Sequence, residues 1–311
     1  MRQIVVRTVQ RFALLTGASV HAVRRQQARR ILTFHGVGGP DMPAPEFERL
    51  LIWLKQNFHV VPLDSMLESM RERRLADPRG EIALTFDDGL RNQFELAYPV
   101  LRRLELSATM FVCPRLVDQQ QWLWNHEMRA RWRRLDVSAR TRTSHALGAG
   151  ESSEDSMIEW MKSLRIDDRN RACEVIRQAT PDFRASPSEQ AAYDMMRWDE
   201  MANMDTRLVT IGSHTLSHPI LPHLDDDALE TELRDSRIEL EQRLQRTVAL
   251  FCYPNGSADL RVRDCASRHY DAAVSTEEDL VRDGVDPWNI PRIPASPGLA
   301  LCAWRLHRPQ A

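Results

Sequence analysis

The sequence predicts an α/β protein in which a parallel sheet or barrel carries helices on its outside. Two patterns point there. Short apolar runs of strand length recur from residue 31 onward, and segments with apolar residues at helical spacing separate them. The length, 311 residues, allows one large domain or two small ones with a sizeable core.

ILTF (31–34) reads as the first strand and runs into a Gly-rich loop ending at Pro40. PEFERLLIWLKQNF (45–58) spaces Phe47, Leu50, Leu51 and Leu54 as one helix face. HVVPL (59–63) and IALTF (82–86) are the next strands. A helix over 92–105 shows Phe94, Tyr98 and Leu101 on one side, and SATMFV (107–112) follows as a strand. RLVTIG (207–212), VALFCY (248–253) and DAAVST (271–276) continue the strands, with helices near 226–245 and 260–269 between them. Residues 117–197, rich in Arg, Glu, Asp, Trp and Met, break the rhythm and read as an inserted helical subdomain, with 138–155 as a mobile linker. The expected organisation is a basic helical segment (1–30), a barrel domain (31–300) containing the insertion, and a C-terminal tail (301–311).

Lys plus Arg number 42 against 44 Asp plus Glu, so global charge gives no reason to expect a nucleic-acid partner. Cys113, Cys173, Cys252, Cys265 and Cys302 are odd in number and form no CxxC pair, which favours reduced thiols in a cytoplasmic protein. Seven arginines, Arg2 to Arg30, precede the first acidic residue, Asp41. Three readings of this segment stand side by side: a signal peptide, a solvated helix packed on the domain, and a basic amphipathic helix on an anionic membrane face. The third would make a cytoplasmic protein peripheral at the inner face of the membrane, and export to the cell envelope is the competing location.

Active sites of parallel α/β folds lie at the C-terminal strand ends. At one such end stand adjacent carboxylates, Asp87 and Asp88, with Gly89 behind them; at another, IGSHTLSHPIL (211–221) carries His214 and His218. Two imidazoles and one carboxylate suit a borderline divalent ion, most simply zinc, with open positions for water and substrate. The second carboxylate is then free to accept a proton. Alone, the acid pair would read as a solvated strand end or a helix cap.

TFDDG (85–89), SHTLSH (213–218) and FCYPNG (251–256) resemble, in order, the first three motifs of the polysaccharide deacetylases, carbohydrate esterase family 4 with its NodB-homology domain. The likeness covers about 31–295. It implies an irregular (β/α) barrel, TIM-barrel-like, and metal-dependent removal of N-acetyl groups from amino sugars. Carried over by position, Asp87 is the general base and Asp88, His214 and His218 are the metal ligands. A tetrahedral oxyanion needs donors, and the backbone N–H at Asn255 takes the place where the family usually has a tyrosine.

The general-acid histidine of the family's C-terminal Leu-x-His strand has no clean counterpart, since RLHRP (305–309) is a poor match. LTFHGVG (32–38) instead places His35 at the first strand end, as in an exopolysaccharide-type subset whose acid strand lies on the N-terminal side. The family arginine that contacts the base corresponds to Cys252, and Arg292 is the candidate replacement. Trp122, Trp124, Trp160 and Trp198 are candidates to stack on pyranose rings, although packing is the ordinary use of tryptophan. The expected substrate is an N-acetylated exopolysaccharide or its lipid-linked precursor. The alternatives are a carbohydrate-binding pseudoenzyme and a deacetylase of a small N-acetyl sugar conjugate.

Overall fold

The structure, a computed structural model, describes residues 2–150 and 153–310. Its centre is an all-parallel sheet: β1 (Arg30–Phe34), β2 (His59–Val60), β3 (Glu81–Phe86), β4 (Ala108–Val112), β5 (Val209–Ser213), β6 (Leu250–Cys252), β7 (Ala272–Val274) and β8 (Ile293–Pro294). The order β7-β6-β5-β4-β3-β1-β8, with β2 paired to β3, curls into an incomplete barrel. Register is continuous where it matters for the site: Thr33 faces Thr85, and Phe34 faces Phe86.

Strand alternation divides the side chains between two cores. Leu32, Phe34, Leu84, Phe86 and Met110 join the larger core under the helices. Ile31, Ala83, Phe111, Leu250, Cys252 and Val274 form a smaller one on the other face. Thr85 and Asp87 continue the Ala83 side, so the alternation itself aims Asp87 into the barrel. Burial is nearly complete on both faces of these strands, which is why they read as unbroken apolar runs.

Helices α1 (Arg2–Leu15) and α2 (Ala18–Arg25) precede β1, and α3 (Ala44–Asn57) follows it, burying the Phe47, Leu50, Leu51 and Leu54 face. The expected strand 59–63 stops at Val60, because Pro62 lacks an N–H and opens α4 (Leu63–Arg71). The expected helix 92–105 begins as a π-turn over Gln93–Ala97 and becomes α-helical only in α5 (Tyr98–Leu104), where Pro99 lacks the N–H for a normal bond to the preceding turn. After β4 come α6 (Pro114–Gln119), α7 (Trp124–Arg134), α8 (Val137–Leu147), α9 (Glu154–Ser163), α10 (Ile166–Gln178), α11 (Pro187–Tyr193) and α12 (Trp198–Ala202).

Helices α7 to α10 close over their own core, including Met128, Trp132, Met157, Met161 and Ile176. The segment 138–155 is not the mobile linker expected from its Ser/Thr/Gly composition. Residues 137–147 are α8, capped by Asp136, which accepts from the Ala139 N–H at 2.7 Å, and ended by Gly148 at φ 71°; Glu151 and Ser152 lie outside the described residues. The insertion returns to the barrel through hydrogen bonds from Arg91 N–H to Asp194 and from Met196 N–H to Gly89. Asn92 Nδ2 also reaches the carbonyls of Ala191 and Ala192. Helices α13 (Asp226–Leu244) and α14 (Leu260–His269) cover β5 to β7, and α15 (Leu299–Arg305) packs against α1.

Candidate metal centre and active site

The β3 strand ends at Phe86, and the backbone then enters the left-handed region at both Asp88 (φ 76°) and Gly89 (φ 74°). Glycine carries this conformation at no steric cost, while an aspartate there is uncommon. A Cβ on Gly89 would also sit 3.0 Å from Val112. The turn breaks the strand alternation after Asp87, so Asp88 does not swing to the opposite face, and the two acids meet different partners at one end of the barrel. Both are buried.

Asp88 meets the histidines. Its Oδ1 lies 3.5 Å from His214 Nε2 and 3.5 Å from His218 Nε2. The loop that presents them is not a helical turn, because Thr215 (φ 68°) and His218 (φ 59°) are both left-handed. The His218 N–H donates to Thr215 Oγ1 at 2.9 Å, and His214 Nδ1–H donates to the Cys252 carbonyl at 2.7 Å. That second bond puts a proton on His214 Nδ1 and orients the ring so that Nε2 faces Asp88. His218 Nδ1 is buried without a hydrogen-bond partner among the described residues.

Three donors therefore converge on one point. The fit to a cation follows from the separations. Zinc bonds of 2.0–2.1 Å in a tetrahedral set place neighbouring donors about 3.3–3.4 Å apart, close to the observed 3.5 Å and long for a hydrogen bond. Burial pushes the Asp88 carboxyl up, but the side-chain contacts of His214 and His218 outweigh it and hold the group well below its ordinary range. Asp88 is an anion with two imidazoles aimed at it, the chemistry of a divalent-metal site.

Asp87 is held apart from this set by Arg292. The guanidinium donates from Nη1 to Oδ1 at 2.7 Å and from Nη2 to Oδ2 at 2.6 Å, a bidentate pair. It is itself fixed by Ser275 O (2.8 Å), Thr85 Oγ1 (3.1 Å) and Cys252 Sγ (3.2 Å). Arg292 is fully buried. Burial pushes the Asp87 carboxyl up, yet the Arg292 charge and hydrogen bonds outweigh it and bring the group down to about 2. The cation thus comes from the residue before β8 and lies against Cys252, the position where the family pattern has its arginine.

His35 is exposed just past β1 and lines a cavity of about 480 Å³ together with Thr276 and Arg292. Gln93 ties it to Asp87: Nε2 donates to the His35 carbonyl at 3.1 Å and to the Asp87 carbonyl at 2.5 Å. Asn255 is exposed at φ 56° in the turn three residues past Cys252. No hydrogen bond among the described residues links it to the other groups. Gly256 beside it has φ 68°, and a Cβ there would lie 1.7 Å from Thr276 Oγ1. His307 packs on Trp304 at the end of α15 and takes no part.

None of the four tryptophans lines this cavity. Trp122 donates to Asp194 Oδ1 at 2.7 Å and borders a separate open cleft with Phe183. Trp124 and Trp160 pack on the core of the insertion, and Trp198 on the main core. Sequence reasoning missed His126 and Tyr193, which do line it. A histidine in a Trp- and Arg-rich helix start was the only signal, and nothing local ties it to residue 35.

The fold and the site define a class of protein, the NodB-type deacetylase barrels. A sequence model of the polysaccharide deacetylase family matches residues 75–271, and the chain belongs to that family. YxkH of Bacillus subtilis (strain 168), assigned by name to the polysaccharide deacetylases, is 26% identical over 104 residues, 32% of this chain and 37% of that protein. The chain thus spans little more than a third of the length of this curated relative. Among solved structures, the Streptococcus pyogenes deacetylase PplD in complex with acetate superposes with a TM-score of 0.62 at 16% identity, covering 91% of this chain and 99% of that one. IcaB from Ammonifex degensii gives 0.60 at 15% identity, covering 90% and 98%. The BpsB deacetylase domain from Bordetella bronchiseptica gives 0.54 at 15%, covering 86% and 96%. At these identities the three likenesses concern the fold.

Proposed function

We propose that this protein is a metal-dependent hydrolase that removes N-acetyl groups from N-acetylhexosamine units of an exopolysaccharide or its lipid-linked precursor. The observation that carries the reading is the convergence of Asp88, His214 and His218 on one point, with Asp87 held beside them by a different partner. A divalent ion bound by the three, most simply zinc, would polarise the amide carbonyl and make water a better nucleophile. Asp87, anionic and oriented by Arg292, takes the proton from the attacking water. His35, at the mouth of the cavity, gives a proton to the departing amine. The backbone N–H at Asn255 is the donor for the oxyanion. The pseudoenzyme alternative rested on the arginine absent at Cys252, and Arg292 removes that support by its contact with Asp87. Acetate release from N-acetylglucosamine oligomers, lost with chelator and restored by zinc, tests the proposal. If no N-acetylated glycan yields metal-dependent acetate, the protein is a binder.

The finer placement is cytoplasmic, peripheral at the inner membrane face. Its support is α1, whose Val5 (57%), Val9 (47%), Phe12 (67%) and Leu15 (84%) are exposed on neighbouring turns, while Gln10 and Ala13 are buried. Arg11 borders that stripe on the Leu15 side, with Arg7 further round on the same side. An apolar stripe with arginines beside it matches an anionic interface. No helix among the described residues is long and apolar enough to cross a membrane. Co-sedimentation with phosphatidylglycerol vesicles but not phosphatidylcholine vesicles, abolished by Phe12→Glu, is the expected result; equal recovery in both supernatants refutes it.

A further inference from the structure

The cavity beside Arg292 has a wall that the barrel does not supply. His126, in the first turn of α7, and Tyr193, at the end of α11, line it together with His35, Thr276 and Arg292. Both belong to the inserted segment. The imidazole stacks on the Tyr193 ring, with centroids 4.5 Å apart and planes 25° apart. Tyr193 in turn meets Trp122 edge-on at 5.4 Å, and Trp122 is held by Asp194. The insertion is locked to the Asp88 turn through Asn92, Asp194 and Met196. The His126 ring is therefore fixed in plane and position relative to the metal-ligand set.

Resting on the deacetylase reading, we propose that His126 is a substrate-binding residue that hydrogen-bonds the sugar carrying the acetamide. Three observations support this. First, the cavity, at about 480 Å³, falls in the roughly 300–1,000 Å³ range of small-ligand clefts, and His126 is among the polar side chains that the insertion adds to its walls. Second, His126 differs from His214. His214 Nδ1 donates to the Cys252 carbonyl, whereas His126 Nδ1 is buried without a hydrogen-bond partner among the described residues. With no protein group selecting the tautomer, the ring is free to meet a hydroxyl either as donor or as acceptor. Third, burial pushes its imidazole down to about 4, against the pull of Asp88, so the ring is neutral. A neutral imidazole on a rigid aromatic stack suits an uncharged glycan. It is not among the convergent ligand sets, so it does not duplicate the metal ligands.

The role is separable from packing by a pair of variants. His126→Phe keeps the stack on Tyr193 and removes both ring nitrogens, whereas His126→Gln keeps a group that donates and accepts. With penta-N-acetylchitopentaose as probe, His126→Phe is expected to raise KM about tenfold, the scale of one hydrogen bond, with kcat within about twofold. His126→Gln should recover most of the loss. Bound zinc and Tm should match the wild type in both. A wild-type KM in His126→Phe overturns the proposal, and so does a collapse of kcat at unchanged KM, which would make His126 a proton carrier. Loss of zinc overturns it too. If the wild type releases no acetate, the deacetylase reading fails separately, and the same variants are read by calorimetric Kd for the oligomer. A weaker Kd in His126→Phe then supports the contact, and an equal Kd, or no binding by the wild type, overturns it.

Discussion

Replacing Arg292 tests both the chemistry and the stability of the site. Arg292 is fully buried and holds both oxygens of a buried carboxylate, at 2.7 and 2.6 Å. In Arg292→Met the methionine fills much of the space, but Asp87 loses the charge and hydrogen bonds that outweigh its desolvation. Removing one partner of a buried pair costs about 3–5 kcal/mol, which for a chain of this size lowers Tm by on the order of 5–15 °C. The pH dependence has a definite sign. In the wild type the Asp87 pKa is depressed from 3.8 to about 2, so its stabilising contribution is present above 3.8 and lost as pH falls through about 2. In the variant only the smaller pull of His214 and His35 opposes burial, so that pKa rises and the ionised carboxylate loses its stabilising contribution at neutral pH. The gap between the two proteins is therefore widest near pH 7 and closes on acidification, because protonation relieves the variant. Denaturation series at pH 7.5 and pH 4.5 measure this, and kcat against pH should show the acid limb of the variant moved upward. Arg292→Lys keeps a point charge without the bidentate fork and should fall between the two. A variant with wild-type stability at both pH values and an unmoved acid limb would refute the claim that this guanidinium controls Asp87.

Three further outcomes follow from the geometry. Asp87→Asn should bind zinc like the wild type and lose nearly all turnover, while Asp88→Asn should lose the metal; the reverse pattern in a bound-zinc measurement would exchange their roles. His35→Ala should lower kcat on the order of 10²-fold, and unchanged kcat eliminates it as the acid. Gly256→Ala forces a Cβ to within 1.7 Å of Thr276 Oγ1 at φ 68°, and such strain should cost roughly 1–3 kcal/mol in urea denaturation; an unchanged midpoint would show that Thr276 moves freely aside.

Legibility in the sequence followed the range of the interactions. The β1, β3 and β4 strands were readable because burial on both faces leaves short unbroken apolar runs, such as Ile82 to Phe86. The acid pair and the histidine pair stood at strand ends, where parallel folds place their chemistry. The α8 helix was hidden because it buries mainly Thr143 and Ser144 and has no apolar stripe. Its caps, Asp136 and Gly148, were the signals that could have revealed it. The Arg292–Asp87 clamp spans 205 residues, and the His126–Tyr193 stack joins separate helices of the insertion. Contacts of that kind leave no local pattern.

Thr215 has a further consequence. A β-branched residue at φ 68° is held in a conformation that costs on the order of 1–3 kcal/mol. Its hydroxyl, receiving the His218 N–H at 2.9 Å, is what it offers in return. Glycine at that position would relax the chain and loosen the histidine together, so a search for hardier variants selected on melting alone would drift toward proteins that endure heat while losing the placement of His218.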